Sequence, residues 1–473
     1  MDECKFARRA SSSARNVGRC RGLARGVSTE DKGDKFMADT IIKSDYLLLE
    51  DGLKLNWGVR IENNRIVEVA PNENIKIKHD DKIINFKNKI VAPGFINGHM
   101  HMYGVLSHGI SVETFVNDFS SFLEDFWWPC VENRLDHQLV EITTRWACVE
   151  MIKSGITTFM DVLEGPNTIP GALDIEAEVI QKAGMRGIVS FEACQRVNKE
   201  NGELGLKENV DFIRKNNKPD NLVQGMMSVH ALFTADKEYL IQAKKIADEL
   251  GCDIHMHLSE SVYEPNWSLE KYGKRPVEVY NELNFLGPNV LASQGVQLEL
   301  DEINILDKKG VRLVHMPLSN CEVGGGIAPI PALLAKGIKI GLGTDGYINN
   351  FFEVMRGAFL IHKAYHQNPM IMPAKDVYKM ATNGGAKVLG RDDIGRIEVG
   401  CLADLIAINI DVPTPINSKN IYDQLILFRN PNNVTDVMIN GKFVLKDNNL
   451  VTIDEEKTKA EIKIAAEKFW KLN

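Results

Sequence analysis

The chain has 473 residues, 44% hydrophobic and 25% charged, which is ordinary for a globular protein and long enough for one large barrel plus a smaller domain. Its formal net charge of −8 argues against nucleic acid as a partner. No apolar run reaches the roughly 18–20 residues of a membrane span, so no membrane association is expected.

Residues 1–36 interleave Arg8, Arg9, Arg15, Arg19, Arg21 and Arg25 with Ser and Gly. They have little apolar content and no apolar h-region, so they read as a disordered extension before a start at Met37. Import into an organelle is the alternative, and Asp2 and Glu3 weaken it. From 37 to 92 the pattern is short and strand-like. Tyr46-Leu47-Leu48-Leu49, Trp57-Gly58-Val59-Arg60-Ile61, Arg65-Ile66-Val67-Glu68-Val69 and Lys82-Ile83-Ile84-Asn85-Phe86 are separated by turn formers such as Asp51-Gly52 and Asn63-Asn64. Residues 396–453 carry a matching set: a run over 403–408, another over 434–439, then Asn440-Gly441 and Lys442-Phe443-Val444. An Asn-Gly pair between two apolar runs is a strong hairpin signal. The two sets predict one composite β-sandwich with residues 93–395 inserted between them. Residues 454–473 are charged and helix-periodic, and predict a terminal helix.

Inside 93–395, apolar strand-like runs recur at 94–97, 157–162, 186–191, 224–229, 253–258, 289–293, 312–316 and 339–343. Helical stretches such as 173–183 and 236–250 lie between them. This predicts an α/β fold, a (β/α)8 TIM barrel, whose chemistry sits at the C-terminal strand ends. Cys130, Cys148, Cys194, Cys252, Cys321 and Cys401 fall mostly in apolar segments without paired spacing, and read as reduced core thiols of a cytoplasmic protein.

Three of those strand ends carry metal donors. The run Val91-Ala92-Pro93-Gly94-Phe95-Ile96-Asn97-Gly98-His99-Met100-His101 ends in two histidines one residue apart, which point the same way on a strand. Cys252-Asp253-Ile254-His255-Met256-His257-Leu258-Ser259-Glu260 adds a histidine and a carboxylate three residues on. Ile338-Lys339-Ile340-Gly341-Leu342-Gly343-Thr344-Asp345-Gly346 ends in an aspartate. Three imidazole nitrogens and one carboxylate oxygen suit Zn²⁺ ahead of Fe²⁺ and leave a position for water.

These segments, with Ser154-Gly155-Ile156-Thr157-Thr158 and Gly400-Cys401-Leu402-Ala403-Asp404-Leu405, resemble the amidohydrolase superfamily over roughly residues 40–450. The similar branch holds cytosine, guanine and S-adenosylhomocysteine deaminases and the triazine hydrolases. The resemblance implies one divalent metal on His99, His101, His257 and Asp345, with Glu260 as proton shuttle and Asp345 as acceptor of the water's proton. No lysine stands in Phe191-Glu192-Ala193 or Ser228-Val229-His230 to form a bridging carbamate, which favours a single metal. His255 also faces inward. The metal is assigned to His257 because Glu260 follows it at the family's spacing. His230 is a candidate substrate contact. His315, in His315-Met316-Pro317-Leu318-Ser319-Asn320, is a candidate for lining the site, with a structural hydrogen bond the equal alternative. Trp127 and Trp128 either line a pocket for a flat ring or belong to the core.

One position departs from the family. Gln294, in Ala292-Ser293-Gln294-Gly295-Val296-Gln297, stands where relatives carry a histidine that contacts the metal-bound water or the substrate; it is a candidate substrate contact that orients the ring with His230, but glutamine cannot carry a proton. Residues 107–113 also lack the acidic pattern that nucleoside deaminases use near the ribose, which lowers adenosine-type substrates. The expected activity is hydrolytic deamination of a small amino-substituted N-heterocycle. The alternatives are a triazine-type chlorohydrolase or N-dealkylating hydrolase and, in another class, a non-catalytic binding protein. A homo-oligomer, dimer or tetramer, is expected. Deleting residues 1–36 should leave melting temperature and turnover unchanged. A large drop in either, measured on the truncated protein, would show that the segment packs.

Overall fold

The computed structural model describes residues 39–110 and 115–471. The expectation for residues 1–36, and the part of the 107–113 reading that rests on Ser111, Val112 and Glu113, lie outside the described residues. The described chain opens with β1 (Thr40–Leu49), β2 (Gly52–Glu62), β3 (Arg65–Pro71) and β4 (Lys82–Pro93). β1 pairs antiparallel with β2 and parallel with β4, and β2 turns into β3 through Asn63 at φ 55.

The barrel strands follow. They are β5 (Phe95–Met100), β6 (Ile156–Leu163), β7 (Arg186–Phe191), β8 (Val223–Gly225), β9 (Met227–Ser228), β10 (Ile254–Leu258), β11 (Val290–Gln294), β12 (Arg312–His315) and β13 (Ile340–Leu342). All pair in parallel, and β13 returns to pair with β5. β8 and β9 are two halves of one barrel strand, interrupted at Met226. β8 pairs with β7 and β9 with β10, so the run of pairs closes into a barrel of eight strand positions. Helices such as His137–Lys153 and Lys237–Leu250 cover its outside, and Ile96, Met160, Val162, Leu291 and Val314 fill its interior below the mouth.

The chain then gives β14 (Leu405–Asn409), β15 (Val434–Ile439), β16 (Lys442–Lys446) and β17 (Asn449–Leu450). β14 pairs antiparallel with β4, so strands from both ends of the sequence join one mixed sheet outside the barrel. The hairpin between β15 and β16 is the Asn440-Gly441 turn, with φ 53 and 75, the left-handed pair this dipeptide supplies. The helix Glu455–Trp470 is capped by the Asp454 side chain and docks through Trp470, whose Nε1 donates to the Leu106 carbonyl at 2.7 Å. No described helix is long and apolar enough to cross a membrane.

The core-thiol expectation holds for Cys148 and Cys401, which are buried. It fails for Cys321, which is exposed on the short helix Ser319–Glu322 after β12.

Gly343 shows how tightly the strands meet beside the barrel mouth. A Cβ there would stand 2.8 Å from the His99 carbonyl oxygen and 2.9 Å from both Met316 Sδ and Val314 Cγ1. Gly343→Ala should therefore cost about 1–3 kcal/mol by overpacking. Thermal denaturation should show the loss, and metal affinity should fall with it because the displaced backbone is that of His99.

Candidate metal centre and active-site cavity

His99 and His101 leave β5 on one face, as the two-residue spacing requires, and both are buried. His101 Nδ1 lies 2.7 Å from the Val162 carbonyl oxygen. A carbonyl only accepts, so Nδ1 carries the hydrogen and Nε2 is left facing Asp345 Oδ1 at 3.2 Å. His99 Nε2 lies 3.9 Å from the same oxygen. Neither ring nitrogen of His99 has a hydrogen-bond partner, although the residue is fully buried. The His257 ring stands 4.9 Å from that of His99 and 5.6 Å from that of His101, centre to centre. Donor atoms of His99, His101 and Asp345 lie within 4.8 Å of one another, and so do those of His99, His255 and His257. Buried imidazoles with unmet lone pairs around a carboxylate are a donor set that fits a divalent cation.

Electrostatics favour ligation at two of the three rings. Burial pushes His99 well below the usual histidine range, and His257 to about 4, so both rings are neutral and able to ligate. Burial also disfavours charge on His101, but the Glu164 and Asp345 carboxylates outweigh it and hold that ring well above its ordinary value. Asp345 is held well below the carboxylate range: burial opposes its charge, and the hydrogen bond and field of His101 overcome it.

The strand ends are locked by backbone geometry. Thr344 and Asp345 N–H both donate to the His99 carbonyl, at 3.0 and 3.2 Å. Asn97 crosses the same seam, donating from Nδ2 to Thr344 Oγ1 at 2.7 Å and accepting from the Thr344 amide at 3.1 Å. Ser259, Gln294 and Asp345 all adopt the left-handed region, at φ 48, 73 and 61. Such conformations cost of order 1–3 kcal/mol each and gather where a site turns side chains out of regular register. The Glu264 carboxylate accepts from the Ser259 amide at 2.5 Å and from the Leu232 amide at 3.0 Å, fixing the loop that carries Glu260.

Gln294 does not line the cavity. It is fully buried, and its Nε2 donates to Asp345 Oδ2 at 2.7 Å while its Oε1 accepts from Asn320 Nδ2 at 2.6 Å. Ser319 Oγ donates to the same Asp345 oxygen at 2.8 Å. The expected substrate contact at Gln294 is thus replaced by a contact to Asp345. His315 also misses the cavity. Val314 points into the barrel with Ile96 and Leu291, so strand alternation sends His315 outward to His362, with Nε2 atoms 3.2 Å apart. The structural alternative is the one seen at His315.

The other candidates converge. His101, His230, His257, Glu260 and Asp345 line one cavity of about 460 Å³ at the barrel mouth. His230 Nδ1 lies 3.2 Å from Thr234 Oγ1, and its ring is 5.3 Å from that of His257. Burial and then the Asp345 charge raise the Glu260 carboxyl well above its usual range, as a proton donor requires. His255 is one layer deeper. It stacks on His99 at 4.9 Å, its Nδ1 is 3.0 Å from Ser228 Oγ, and its Nε2 has no partner. Trp127 lines the cavity. Trp128 instead packs between the Arg196 guanidinium, 5.1 Å from its ring, and His230.

Sequence reasoning missed a group of carboxylates. Glu164 follows β6, Glu192 follows β7, and both are buried beside the histidines. Glu192 Oε1 is 2.8 Å from His257 Nδ1, and Glu164 Oε1 is 3.6 Å from His101 Nδ1. Glu132 pairs with Arg196 at 2.7 Å and accepts from the Tyr103 hydroxyl at 3.3 Å. Burial raises Glu164 and Glu192 to about 8. The legible signal was a glutamate just past each of two barrel strands.

The profile of the amidohydrolase family matches residues 90–444. The 5′-deoxyadenosine deaminase of Methanosarcina acetivorans is 34% identical over 441 residues, covering 92% of this chain and 99% of that protein. The 5-methylthioadenosine/S-adenosylhomocysteine deaminase of Thermococcus sibiricus is 34% identical over 413 residues, covering 86% and 93%. Among solved structures, an adenosine deaminase from Xanthomonas campestris with bound zinc superposes with a TM-score of 0.81 at 24% identity, over 91% of this chain and 98% of that one. Atrazine chlorohydrolase from Arthrobacter aurescens, complexed with zinc, gives 0.80 at 20% identity, over 90% and 100%. On the sequence match and the shared barrel, the chain belongs to the amidohydrolase family.

Proposed function

We propose that this amidohydrolase-family deaminase removes the 6-amino group of adenosine-type nucleosides, with zinc on His99, His101, His257 and Asp345. The match to 5′-deoxyadenosine deaminases over nearly the full length of both chains carries the reading. It weighs against the expectation, drawn from residues 107–113, that adenosine-type substrates are disfavoured. The triazine hydrolases share the fold at lower identity and lend the chlorohydrolase alternative no separate support.

When bound, a divalent cation lowers the pKa of a water from about 15.7 toward about 7. The chain's own groups do the rest. Asp345 accepts a proton from the attacking water. Glu260, kept protonated by burial beside Asp345, gives its proton to the ring nitrogen next to C6 and regains one from the new C6 hydroxyl, while Asp345 passes the water's proton to the departing nitrogen. A C–O bond forms at C6, the C–N bond breaks, and ammonia leaves. Gln294 and Ser319 fix Asp345 Oδ2, so Oδ1 is the oxygen presented to His99 and His101. His230 holds the flat ring from the side.

Glu260→Gln should retain metal and lose about 10²–10⁴-fold in turnover, the usual worth of a general acid–base. Ammonia release with 5′-deoxyadenosine measures it, and near-normal turnover would remove Glu260 from the mechanism. A wild-type enzyme that releases no ammonia from any adenosine-type nucleoside would remove the substrate assignment.

Metal analysis should return about one divalent ion per chain. His257→Ala should lose it and His255→Ala should keep it. The reverse pattern would move the ligand one layer deeper, to the histidine whose Nε2 has no partner.

A further inference from the structure

The cavity does not end at the reacting ring. It opens into an outer groove of about 1070 Å³, and the two share Ile110, Phe119, Phe122, Phe126, Glu322 and Val323 along their walls. With C6 at the metal donors and its neighbouring nitrogen at Glu260, a purine directs N9 away from the barrel. The sugar and its 5′ substituent must then run along this shared wall.

The chemistry of that wall is one-sided. Phe119, Phe122, Phe126 and Trp127 form a ring cluster with centroid separations of 5.6 to 6.3 Å: Phe122 stacks on Phe119 and Trp127, and Phe126 meets Phe122 and Trp127 edge-on. Among the described residues that line the cavity or the groove there is no lysine or arginine. The charges lining the groove are acidic: Asp118, Glu270 and Glu322. Nearby cations are engaged elsewhere. Arg196 pairs with buried Glu132, and Lys271 stands 4.4 Å over the Trp267 ring.

From this we infer that the enzyme selects adenosine-type nucleosides whose 5′ substituent is uncharged and apolar, and discriminates against those ending in a carboxylate. The inference rests on the adenosine-type reading above. An apolar 5′ group buries surface against the phenylalanines. A carboxylate would lose water among acids and find no cation to pair with among the described lining residues. An ammonium on the same substituent has Glu322 and Glu270 as partners, so the carboxylate is the group rejected.

Four substrates separate the terms: 5′-deoxyadenosine, 5′-methylthioadenosine, S-adenosylhomocysteine, and 5′-(3-aminopropylthio)-5′-deoxyadenosine, which keeps the ammonium and lacks the carboxylate. The first two should share a high kcat/KM, S-adenosylhomocysteine should be at least ~10-fold lower, and the decarboxylated analogue should recover most of the difference. Equilibrium binding to the Glu260→Gln variant, where turnover is suppressed, should show the same order in Kd. Glu322→Lys should raise the S-adenosylhomocysteine to 5′-methylthioadenosine ratio several-fold. Equal kcat/KM for the carboxylate-bearing and apolar substrates would overturn the inference and leave the adenosine reading standing. So would an analogue as poor as S-adenosylhomocysteine, since bulk would then be the cause. Failure of all four to release ammonia would overturn the adenosine reading and the inference with it.

Discussion

The mouth of this barrel is organised around buried imidazoles whose nitrogens have no protein partner. His99 is fully buried with both nitrogens unmatched, and His255 leaves its Nε2 unmatched behind it. Each buried, unsatisfied polar atom costs about 1–3 kcal/mol. Burial also strips these rings of their proton, so they cannot answer the cost by becoming cations. A divalent ion meets the demand that the protein itself leaves open. The arrangement would be a poor core and is a good ligand set.

Holding those rings at one point requires the backbone to be exact across the closing seam of the barrel. The His99 carbonyl accepts from two successive amides, those of Thr344 and Asp345, which places the carboxylate opposite the rings from β5. The left-handed conformation of Asp345 is what lets its chain turn after β13 while its side chain stays at the mouth. Gly343 can sit there only because it has no Cβ to press on the His99 carbonyl. The conformational cost at Ser259, Gln294 and Asp345 is offset by hydrogen bonds fixed in the same turns, such as Glu264 on the Ser259 amide.

Local patterns made the fold and the ligand set readable. A two-residue spacing puts His99 and His101 on one face whatever the tertiary context, and eight apolar runs at barrel spacing place them at a strand end. The Asn440-Gly441 hairpin was legible for the same reason, because its backbone need is local. Gln294 and His315 show where such reading stops. Both end barrel strands, yet Gln294 turns toward Asp345 and Asn320, and His315 turns outward to His362. Which way a strand-end side chain points depends on register against its neighbours, and register is a tertiary property. Glu164 and Glu192 were passed over because a single strand-end glutamate is ordinary. Only the barrel brings two of them against the same histidines.

Those two glutamates also bear on charge. Glu132, Glu164 and Glu192 lie buried near one another with one guanidinium, Arg196, among them. Without a further cation, burial and mutual repulsion hold Glu164 and Glu192 protonated up to about pH 8. A divalent ion on His101 and His257 acts in the opposite sense, drawing these carboxyls toward the charged state. Glu192 Oε1 stands 2.8 Å from His257 Nδ1, yet neither atom has a hydrogen-bond partner among the described residues, so this contact acts through charge and not through a fixed hydrogen bond. His101 needs no such partner, because the Val162 carbonyl already sets its tautomer through the backbone. The two rings thus differ: a fixed carbonyl orients His101, while His257 faces a carboxylate whose charge responds to a bound ion.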